Sequence, residues 1–477
     1  MEGLEATEIK LSKVNSGTFT KRIDPEYFNK TAILAQKKLE SSPTLGSLVK
    51  DGYRVVYETT EAIEQSQGIL NDYPFFLQSA DINTPFINKE SMICVHQNDW
   101  ERYPKGRIQH GEILIEVKGK AEKIAFVPDD FPEKTLVTGT CFKLNTKNPK
   151  HRFLLIPYLT SKYGQALKNR LKTNLLVSYI AKDDLYSLPV PHLSENMLSA
   201  LEEIFDNIFK LQRQSVIQQQ QAEQILLKTL SLENWQPTPA LSYERKSSEV
   251  FAAGRLDAEY FHPEKASAVY LLNQLECGKV KDMFESVREL WQPETAIKTQ
   301  VVQNYDLTDA LSPFLDADKE LVYPESISST KKVLSEGQII VSRLRSYLKE
   351  IALVLHDCHV PMVASTEFIV LKPIGKMNVA TLMVYLRSIL PQIIFKWSQD
   401  GSNHPRFDEK ELLNLQVPNI LLEHQQEISE VIHQSIIYTK KSKLLLEAAK
   451  RAVEIAIEDS EAAALAYLQP FLQDETL

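Results

Sequence analysis

The chain has 477 residues, of which 43% are hydrophobic and 25% charged, and its net charge is −9. That length predicts about three domains, or two domains with long connecting elements. The negative total argues weakly against a protein coated all over with nucleic acid, although local charge is the better guide. No apolar run of about 18 residues occurs, so a membrane-spanning helix is not expected.

The N-terminal region and the cysteines indicate the compartment. The first 30 residues are polar and charged and lack the apolar stretch of a signal peptide. The four cysteines lie far apart, without the spacing of a zinc site or a disulfide framework: Cys94, Cys141, Cys277 and Cys358. A reduced, cytoplasmic setting is therefore expected.

Sequence segments of the first half of the chain recur in the second half. Residues 22–28 (RIDPEYF) return as residues 255–261 (RLDAEYF), with five identities in seven positions at a spacing of 233. Three further pairs follow in the same order: 111–115 with 337–341 and 140–142 with 366–368, both at 226, and 185–191 with 412–418 at 227. Solenoid units run to roughly 20–50 residues, so this period predicts a duplicated domain with two similar working surfaces.

Each copy mixes predicted helices and strands. Helical stretches are predicted at 30–40 and 264–276, and again at 153–170 and 378–398. Apolar or β-branched runs bounded by Gly, Pro or charge predict strands at 113–117, 136–144, 337–342, 351–355 and 367–371. A Leu-x-Val-Pro or related element closes each copy at Pro191 and Pro418, where proline favours an extended exit. The fold class predicted is α+β.

A long helix is predicted after each copy. The first carries the 3, 4, 3 spacing of a coiled-coil seam and continues through a polar middle: Leu201, Ile204, Ile208, Leu211, then Ser215, Gln218, Ala222 and Ile225. The second resembles it: Ile428, Val431, Ile432, Ile436, then polar 440–443, then Leu444, Leu445, Ala448 and Ala452. A helix of about 40 residues is roughly 60 Å long. Either stripe alone fits an amphipathic helix packed on its own domain.

Because a helix of this kind follows each copy at the same point, we expect the two helices to pair with each other and form a spacer. We predict an antiparallel coiled coil in which residues 201–211 face Ile428, Ile432, Ile436 and Leu445, with the polar middles adjacent. The predicted domains are a first α+β domain at 1–190, a first spacer helix at 191–232, a second α+β domain at 233–417, and a second spacer helix with the C-terminal tail at 418–477. Residues 233–250 are predicted to link into the second copy.

Motifs for catalysis and cofactor binding are missing from the sequence. There is no phosphate-binding loop and no dinucleotide fingerprint. The Asn/Asp-Pro-Pro-aromatic segment of an amino-methyltransferase is absent as well. His356, Asp357, Cys358 and His359 form the one cluster with metal-ligand chemistry, and a polar turn between strands explains them better. No catalytic residue, cofactor or metal is expected in this chain.

A basic stretch lies in the first copy. Residues 140–172 contain no Asp or Glu and eight cations: Lys143, Lys147, Lys150, Arg152, Lys162, Lys168, Arg170 and Lys172. A charge run is usually a solvated face. The complete lack of acids favours a functional patch, and all of these residues except Lys162 are candidates for contacts with nucleic-acid phosphates.

The second copy carries a combination of motifs that resembles the specificity subunit of type I restriction–modification systems. The motifs are 337–349 (GQIIVSRLRSYLK), 365–373 (STEFIVLKP), 401–407 (GSNHPRF) and 415–418 (LQVP), followed by a helix with Gln425 and Gln426. The resemblance covers nearly the whole chain. The first copy departs from it, with residues 116–118 and 177–179 standing where 342–344 and 404–406 stand in the second.

The resemblance implies a non-catalytic DNA-recognition subunit with a role in phage defence. It implies binding to double-stranded DNA and to two adenine-N6 methyltransferase subunits, which supply S-adenosylmethionine and the chemistry, and through them to motor-nuclease restriction subunits. Residues 1–190 and 233–417 would be target-recognition domains that each read one half of a bipartite target, and the helices would set the gap. The implied contacts in the second copy are Ser342, Arg343, Arg345, Lys349, His404 and Arg406. The alternative from another class is a protein-binding scaffold that does not bind DNA.

Overall fold

The computed structural model describes residues 8–16, 22–57, 62–63, 73–89, 91–173, 178–237, 240, 242–297, 300–401 and 404–473. Some residues of the predicted segments lie outside these ranges: residue 177 of the segment 177–179, residues 238, 239 and 241 of the predicted linker, and residues 402–403 of the GSNHPRF motif. The chain forms two compact units. Unit 1 comprises Met1–Gln212 and Lys440–Leu477, and unit 2 comprises Arg213–Thr439.

Unit 1 contains small sheets covered by helices. Its helices are α1 Leu11–Ser16, α2 Lys30–Lys38, α3 Leu45–Leu48, α4 Gln97–Arg102, α5 His151–Thr160, α6 Lys162–Arg170, α7 Lys182–Tyr186 and the start of α8, Glu195–Thr229. Its strands are β1 Val49–Tyr53, β2 Ala62–Ile63, β3 Phe75–Leu77, β4 Ile82–Asn83, β5 Phe86–Ile87, β6 Ile93–Val95, β7 Ile113–Glu116, β8 Ile124–Phe126, β9 Thr135–Val137 and β10 Cys141–Thr146. One sheet has the order β1-β10-β7-β8, and a second has the order β2-β6-β3-β9.

Unit 2 also contains small sheets and helices. Its helices are α9 Ser247–Ala253, α10 Pro263–Asn273, α11 Val280–Met283, α12 Val379–Arg387, α13 Ile389–Lys396, α14 Glu409–Asn414 and the start of α15, Leu421–Glu458. Its strands are β11 Cys277–Lys279, β12 Phe284–Val287, β13 Leu290–Trp291, β14 Val302–Tyr305, β15 Leu321–Val322, β16 Lys331–Leu334, β17 Ile339–Ser342, β18 Ile351–Leu353, β19 Met362–Ser365, β20 Phe368–Pro373 and β21 Gln416–Pro418. Its main sheets have the orders β12-β20-β17-β18 and β13-β16-β19-β14-β15. The last helix of the chain, α16, spans Glu461–Gln473 in unit 1.

Strand register corrects one of the sequence matches. In unit 1 Cys141 lies opposite Glu116, and in unit 2 Phe368 lies opposite Ser342. Cys141 therefore corresponds to Phe368, and Thr140 corresponds to Glu367. The match of 140–142 with 366–368 was wrong by one residue, and a slip of one in a strand reverses which face every side chain occupies.

The predicted strand at 136–144 is also two strands. β9 pairs with β3 in one sheet, whereas β10 pairs with β7 in the other. Residues 138–140 carry the chain between the sheets, and the backbone N–H of Thr138 donates to Leu77 O at 2.8 Å. An unbroken apolar run in the sequence therefore hid a change of sheet.

The predicted helices at 153–170 and 378–398 are each broken at a serine. Ser161 and Ser388 both have extended backbones. In each case the hydroxyl donates to a tyrosine carbonyl three residues earlier, Ser161 to Tyr158 O and Ser388 to Tyr385 O, both at 2.6 Å. At the first break the chain comes very close to itself, since a Cβ on Gly164 would lie 2.0 Å from Tyr158 O. Serine thus ends one helix and starts the next.

Side-chain hydrogen bonds recur at matching positions in the two units. Gln165 Nε2 donates to Leu159 O at 2.7 Å, and 227 positions later Gln392 Nε2 donates to Leu386 O at 2.7 Å. Gly111 and Gly337 share a φ of 82° and donate to Val127 O and Val354 O. The matching glutamines and glycines therefore make the same hydrogen bonds in both units.

The repeated Arg-x-Asp element has a structural role. Arg22 forms an ion pair with Asp24 at 2.6 Å and donates to the carbonyl oxygens of Arg170 and Lys172 at the end of α6. Arg255 pairs with Asp257 at 2.6 Å and donates to the carbonyl oxygens of Ser398 and Gln399 after α13. A cation that binds the last carbonyls of a helix stabilises that terminus. This accounts for the strongest sequence match between the copies.

Helices α8 and α15 are unbroken over 35 and 38 residues, which corresponds to about 52 and 57 Å. The boundary between the units falls within both helices. Within unit 1, Ser442 Oγ donates to Ile208 O at 3.4 Å. Within unit 2, Ser215 Oγ lies 2.9 Å from Ser435 Oγ, and Gln219 Nε2 donates to Ser435 Oγ at 3.0 Å. From Ile208 to Ser215 along α8, the contacting residue of α15 changes from Ser442 to Ser435.

The apolar partners differ from those predicted. In unit 2, Ile428, Ile432 and Ile436 share a buried cluster with Ala222 and Leu226. Residues 201–211 belong to unit 1, together with Leu445 and the segment after Lys440. Ile208 contacts Ser442 in unit 1, so residues 201–211 lie beside the part of α15 that contains Leu445. The prediction that they face Ile428, Ile432 and Ile436 was wrong, because it paired the beginning of one helix with the beginning of the other.

Among the described residues, none of the single helices is long and apolar enough to cross a membrane. The bent pair Val379–Arg387 and Ile389–Lys396 meets the criterion only when its helices are combined across a 60° bend. Their apolar residues lie in the core of unit 2, including Leu382, Tyr385, Leu390 and Phe395.

Candidate nucleic-acid interface

A tight loop in unit 2 follows the buried strand β17 and carries three of the predicted contact residues. The strand ends at Ser342, whose N–H donates to Glu350 O at 2.9 Å and so closes the loop at its base. Arg345 and Lys349 have φ values of 47° and 52°, on either side of the short 3-10 turn Ser346–Leu348. Positive φ is uncommon for residues other than glycine, and backbone strain of this kind concentrates at functional sites.

The backbone of this loop is anchored from beneath. Arg387 Nη1 donates to Lys349 O at 2.8 Å and to Ile351 O at 3.0 Å, while its Nη2 donates to Leu311 O at 3.2 Å. Ser342 is buried, and its Oγ donates to Leu344 O at 3.1 Å. Ser342 therefore shapes the loop and does not present its hydroxyl to a ligand, although it was predicted as a DNA contact.

The 401–407 motif lies against the same loop. Arg345 N donates to Pro405 O at 3.0 Å, and Phe407 N donates to Arg343 O at 3.1 Å. Phe407 is buried and stacks on Phe395 with ring centroids 4.5 Å apart. Two sequence motifs that lie about 60 residues apart are thus held together by backbone hydrogen bonds and an aromatic anchor.

Glu367 joins the two motifs through their arginines. Arg406 donates to both carboxylate oxygens of Glu367, from Nη2 at 2.7 Å and from Nε at 3.0 and 3.1 Å. Arg343 donates from Nε to Glu367 Oε2 at 3.2 Å. The hydrogen bond from Arg406 and burial act in opposite directions, and the pKa of Glu367 is lowered overall. A bidentate pair of this kind fixes the planes of both groups.

Further cations surround these residues. Arg345 Nη2 lies 3.4 Å from His404 Nδ1. Burial lowers the pKa of Lys332, the nearby positive charges of Arg343 and Arg288 lower it further, and Glu409 opposes this. We call the set the arginine face of unit 2; its members are Arg288, Lys332, Arg343, Arg345, Lys349, His404 and Arg406. The sequence prediction named five of them and missed Arg288 and Lys332, which come from elements without a matching motif.

A carboxyl group lies beneath the arginine face. Glu350 is 5% exposed, and its Oε2 has no hydrogen-bond partner among the described residues. Burial raises the pKa of Glu350 to about 7, against the opposing effects of Ser342 and Arg345. This residue therefore changes its charge near neutral pH under the base of the loop.

The basic stretch of unit 1 is engaged inside its own unit. Lys143 is buried, and its Nζ donates to Glu112 Oε1 at 2.8 Å and to Arg107 O at 2.6 Å. Lys168 is fully buried, donates to Glu122 O at 3.2 Å, and has its pKa lowered by burial to about 8. Lys143 is almost entirely buried and Lys168 entirely so, which departs from their predicted role.

Other members of the stretch contact groups of unit 1 as well. Lys150 Nζ lies 3.3 Å from Glu202 Oε2 and donates to Ser199 Oγ. Arg152 stacks over Phe126 and Phe153. The remaining cations follow the same trend: Lys147 donates to Ser47 O, Lys162 pairs with Glu458, Arg170 lies over Tyr27, and the pKa of Lys172 is lowered by burial. The acids paired with this stretch, Glu112, Glu202 and Glu458, come from distant parts of the sequence. DNA contact by the cations other than Lys143 and Lys168 stays a prediction.

The unit 1 counterpart of the arginine face is a different loop, residues 117–123. The bridge between Lys118 and Tyr179 corresponds to the bridge between Leu344 and Arg406. Lys118 and Lys120 lie on this loop, Lys120 is exposed, and Arg54 stacks over the Tyr179 ring at 4.7 Å. The sequence prediction missed these cations. Aligning the two copies at the loop itself would have found them.

The predicted metal-like cluster is part of a polar network. His356 Nε2 lies 3.1 Å from Tyr305 Oη and 3.3 Å from Gln303 Oε1. Over the parts of the chain that the structure describes, no group of three or more His, Cys, Asp or Glu side chains could hold a metal ion.

Comparison with known proteins gives structural matches alone. No protein-family model matches the sequence, and no curated protein sequence matches it significantly. The chain is similar to the crystal structure of a type I restriction–modification S subunit from M. genitalium, with 13% identity, 90% of this chain and 95% of that chain covered, and a TM-score of 0.31. It is also similar to a structure of the type I restriction–modification system (14% identity, 91% and 97% covered, TM-score 0.27). A third is the HsdS subunit from Thermoanaerobacter tengcongensis (13% identity, 91% and 96% covered, TM-score 0.25).

The first and third of these solved structures are described as an S subunit and an HsdS subunit. Low TM-scores mean that the chains superpose loosely as wholes.

Proposed function

We propose that this chain is the sequence-specific DNA-binding subunit of a type I restriction–modification complex and is itself non-catalytic. Each unit reads one half of a bipartite target. The observation that carries the proposal is the arginine face, where a strained and anchored loop presents clustered cations from two sequence motifs. Guanidinium groups on a rigid backbone suit the recognition of phosphates and base edges.

The two units are proposed to be duplicated recognition domains. They share the strand order of one four-stranded sheet, the serine breaks in the helical segment and the hydrogen bonds of the Arg-x-Asp element. They differ at the loop that follows β7 in unit 1 and β17 in unit 2. Unit 1 has Lys118 at the position where unit 2 has Leu344, which lies between two arginines. A shared scaffold with unlike loops is what two different half-sites require.

Helices α8 and α15 are proposed to pair as an antiparallel coiled coil that sets the gap between half-sites. Ile208 meets Ser442 in unit 1, and Ser215 meets Ser435 in unit 2, so the residue numbers of each contact pair change in opposite directions. Buried serines at both contacts let the helices approach closely. A buried polar layer also favours one register over others.

The partners are proposed to be double-stranded DNA, two adenine-N6 methyltransferase subunits that carry S-adenosylmethionine, and motor-nuclease restriction subunits, all in the cytoplasm. Two similar units offer two equivalent seats for one kind of partner. A protein-binding scaffold would share this feature, but it would not need the arginine face.

The proposal is tested by measuring DNA affinity as a function of salt concentration with the full chain, alone and copurified with its partners. Wild type should bind DNA, and log affinity should fall linearly with log salt. The double variant Arg343→Ala/Arg345→Ala should bind more weakly and with a shallower slope. The matched control is Lys372→Ala/Lys376→Ala, which removes the same charge from exposed residues of unit 2 near the other end of strand β20.

Salt-independent or undetectable binding by both forms of the wild-type protein would overturn the proposal in favour of a scaffold. Equal losses in the arginine variant and the lysine control would show that overall charge, and not the arginine face, determines binding.

A further inference from the structure

We infer that Arg343 reads a guanine in the half-site bound by unit 2, and that Glu367 and Arg406 are positioning residues for it. The inference rests on the proposed function and adds the chemistry of one base to it. Guanine presents two acceptors, O6 and N7, in the major groove, and arginine is their commonest bidentate partner.

The contacts divide the roles between the two arginines. Arg406 turns Nε and Nη2 to Glu367 and donates from Nη1 to His404 O at 2.9 Å. Its guanidinium is thus committed to the protein. Arg343 contacts Glu367 through Nε alone, which leaves the edge formed by its two Nη groups as the outward fork. The Arg343 side chain is 41% exposed, and Glu367 is 25% exposed beside it.

Glu367 favours a base over a phosphate as the ligand. A carboxylate beside the guanidinium neutralises much of its charge and repels a phosphate at short range. It does not weaken the geometric match of the fork to two acceptors, and it removes rotational freedom that would otherwise be lost on binding. An arginine held in this way recognises shape and acceptor pattern more than charge.

The fold itself does not need this triad. In unit 1 the positions of Arg343, Glu367 and Arg406 are taken by Val117, Thr140 and Tyr179. The backbone contacts persist there: Val117 N donates to Thr140 O at 2.9 Å, as Arg343 N donates to Glu367 O at 3.1 Å. The loop therefore forms without the ion pairs, and the triad is a feature of what unit 2 binds.

The experiment has two steps. Selection with the full chain from a pool of randomised duplexes first defines the half-site of unit 2, which should contain an invariant guanine. Each guanine of that half-site is then replaced by 7-deazaguanine, which removes the N7 acceptor. At one position wild-type affinity should fall roughly 5- to 150-fold.

Three variants assign the roles. Arg343→Lys keeps the charge but loses the rigid planar fork, so it should lose most of the discrimination between normal and 7-deaza DNA, with its salt slope unchanged. Glu367→Gln and Arg406→Lys should reduce discrimination partly while binding persists. Arg451→Lys is the control, because Arg451 is also an exposed arginine paired with two carboxylates, those of Glu454 and Glu458. It should discriminate as wild type does.

The outcomes separate this inference from the proposed function. DNA binding with no guanine requirement, or with full discrimination in Arg343→Lys, overturns the guanine assignment and leaves DNA recognition intact. If Arg343→Lys binds the selected half-site as tightly as wild type does, Arg343 contacts a phosphate, which either cation can neutralise, and the guanine assignment is overturned as well. Failure of the wild type to select any DNA overturns both.

Discussion

The buried ion pair of unit 1 has a neutral counterpart in unit 2. Introducing the neutral residues of unit 2 into unit 1 should restore the stability that is lost when one partner of the pair is removed. Glu112 and Lys143 are a buried pair whose side chains are 2% and 11% exposed and whose charged atoms lie 2.8 Å apart. The corresponding residues of unit 2 are Gln338 and Val370. Glu112 accepts the N–H of Gln109 at 2.8 Å, and Gln338 accepts the N–H of Ser335 at 2.8 Å, so the same turn is made with and without charge.

Removing one partner of a buried ion pair leaves an uncompensated buried charge and costs about 3–5 kcal/mol. Lys143→Val should therefore destabilise unit 1 by about that amount, because Glu112 is too buried to recover its hydration. The double variant Glu112→Gln/Lys143→Val carries the residue types that unit 2 has at these positions. Its free energy of unfolding should return to within about 1–2 kcal/mol of wild type, since neutral replacements of buried pairs are often tolerated.

Hydrogen–deuterium exchange measures this unit by unit. Peptides that cover residues 112–116 and 141–146 should lose protection in Lys143→Val and regain it in the double variant. Peptides from β17 and β20 of unit 2 provide the internal control and should not change. Unchanged protection in Lys143→Val, or a double variant no better than the single one, would refute the reasoning about both the pair and the repeat.

Three further predictions concern charge, length and pH. Lys118→Gln/Lys120→Gln should flatten the salt slope of DNA binding by about 0.9 for each phosphate that is no longer neutralised, measured by titration at several salt concentrations; an unchanged slope would remove this loop from the interface. Insertion of one heptad into both α8 and α15 should widen the gap between half-sites by about three base pairs, since it adds about 10 Å of helix; methylation mapping that shows the original gap would exclude the spacer role. Because burial raises the pKa of Glu350 from 4.5 to about 7, this group's stabilising contribution is complete below about pH 4.5 and is lost as pH rises to 7. Glu350→Gln should accordingly gain stability relative to wild type between pH 5 and pH 8 in urea unfolding, and a constant difference would contradict this.

The sequence predicted the elements whose signal is local. The long helices α8 and α15 follow from uninterrupted apolar spacing without proline or glycine. The strand after Gly337 follows from a β-branched run, and it is β17. Element ends were less predictable, because Ser161 and Ser388 break helices through backbone geometry that their neighbours in sequence do not reveal.

Partners distant in sequence could not be predicted. Lys143 and Lys168 appeared as part of a solvated or DNA-facing run, yet the structure buries both among residues from other elements. The helix register depended on which apolar residues meet, and several pairings satisfy the same spacing. Periodicity defines a face of a helix but does not identify its partner.

The candidate site was predictable in part. The motifs at 337–349 and 401–407 named Arg343, Arg345 and Arg406, and the structure brings them to one surface. Glu367 was present in a quoted motif but was matched to Cys141 by a one-residue slip, so its role was missed. The available signal was that Glu367 is an acidic residue in a motif that lies between the two arginine-containing motifs.

Selection of DNA by the full chain tests the central claim most directly. A pool of randomised duplexes is bound by the chain, alone and copurified with its partners, and the bound molecules are sequenced. Two short, unlike blocks separated by a fixed number of unselected base pairs are predicted, one block for each unit. A single block, two blocks at variable spacing, or no enrichment over the input would contradict the account.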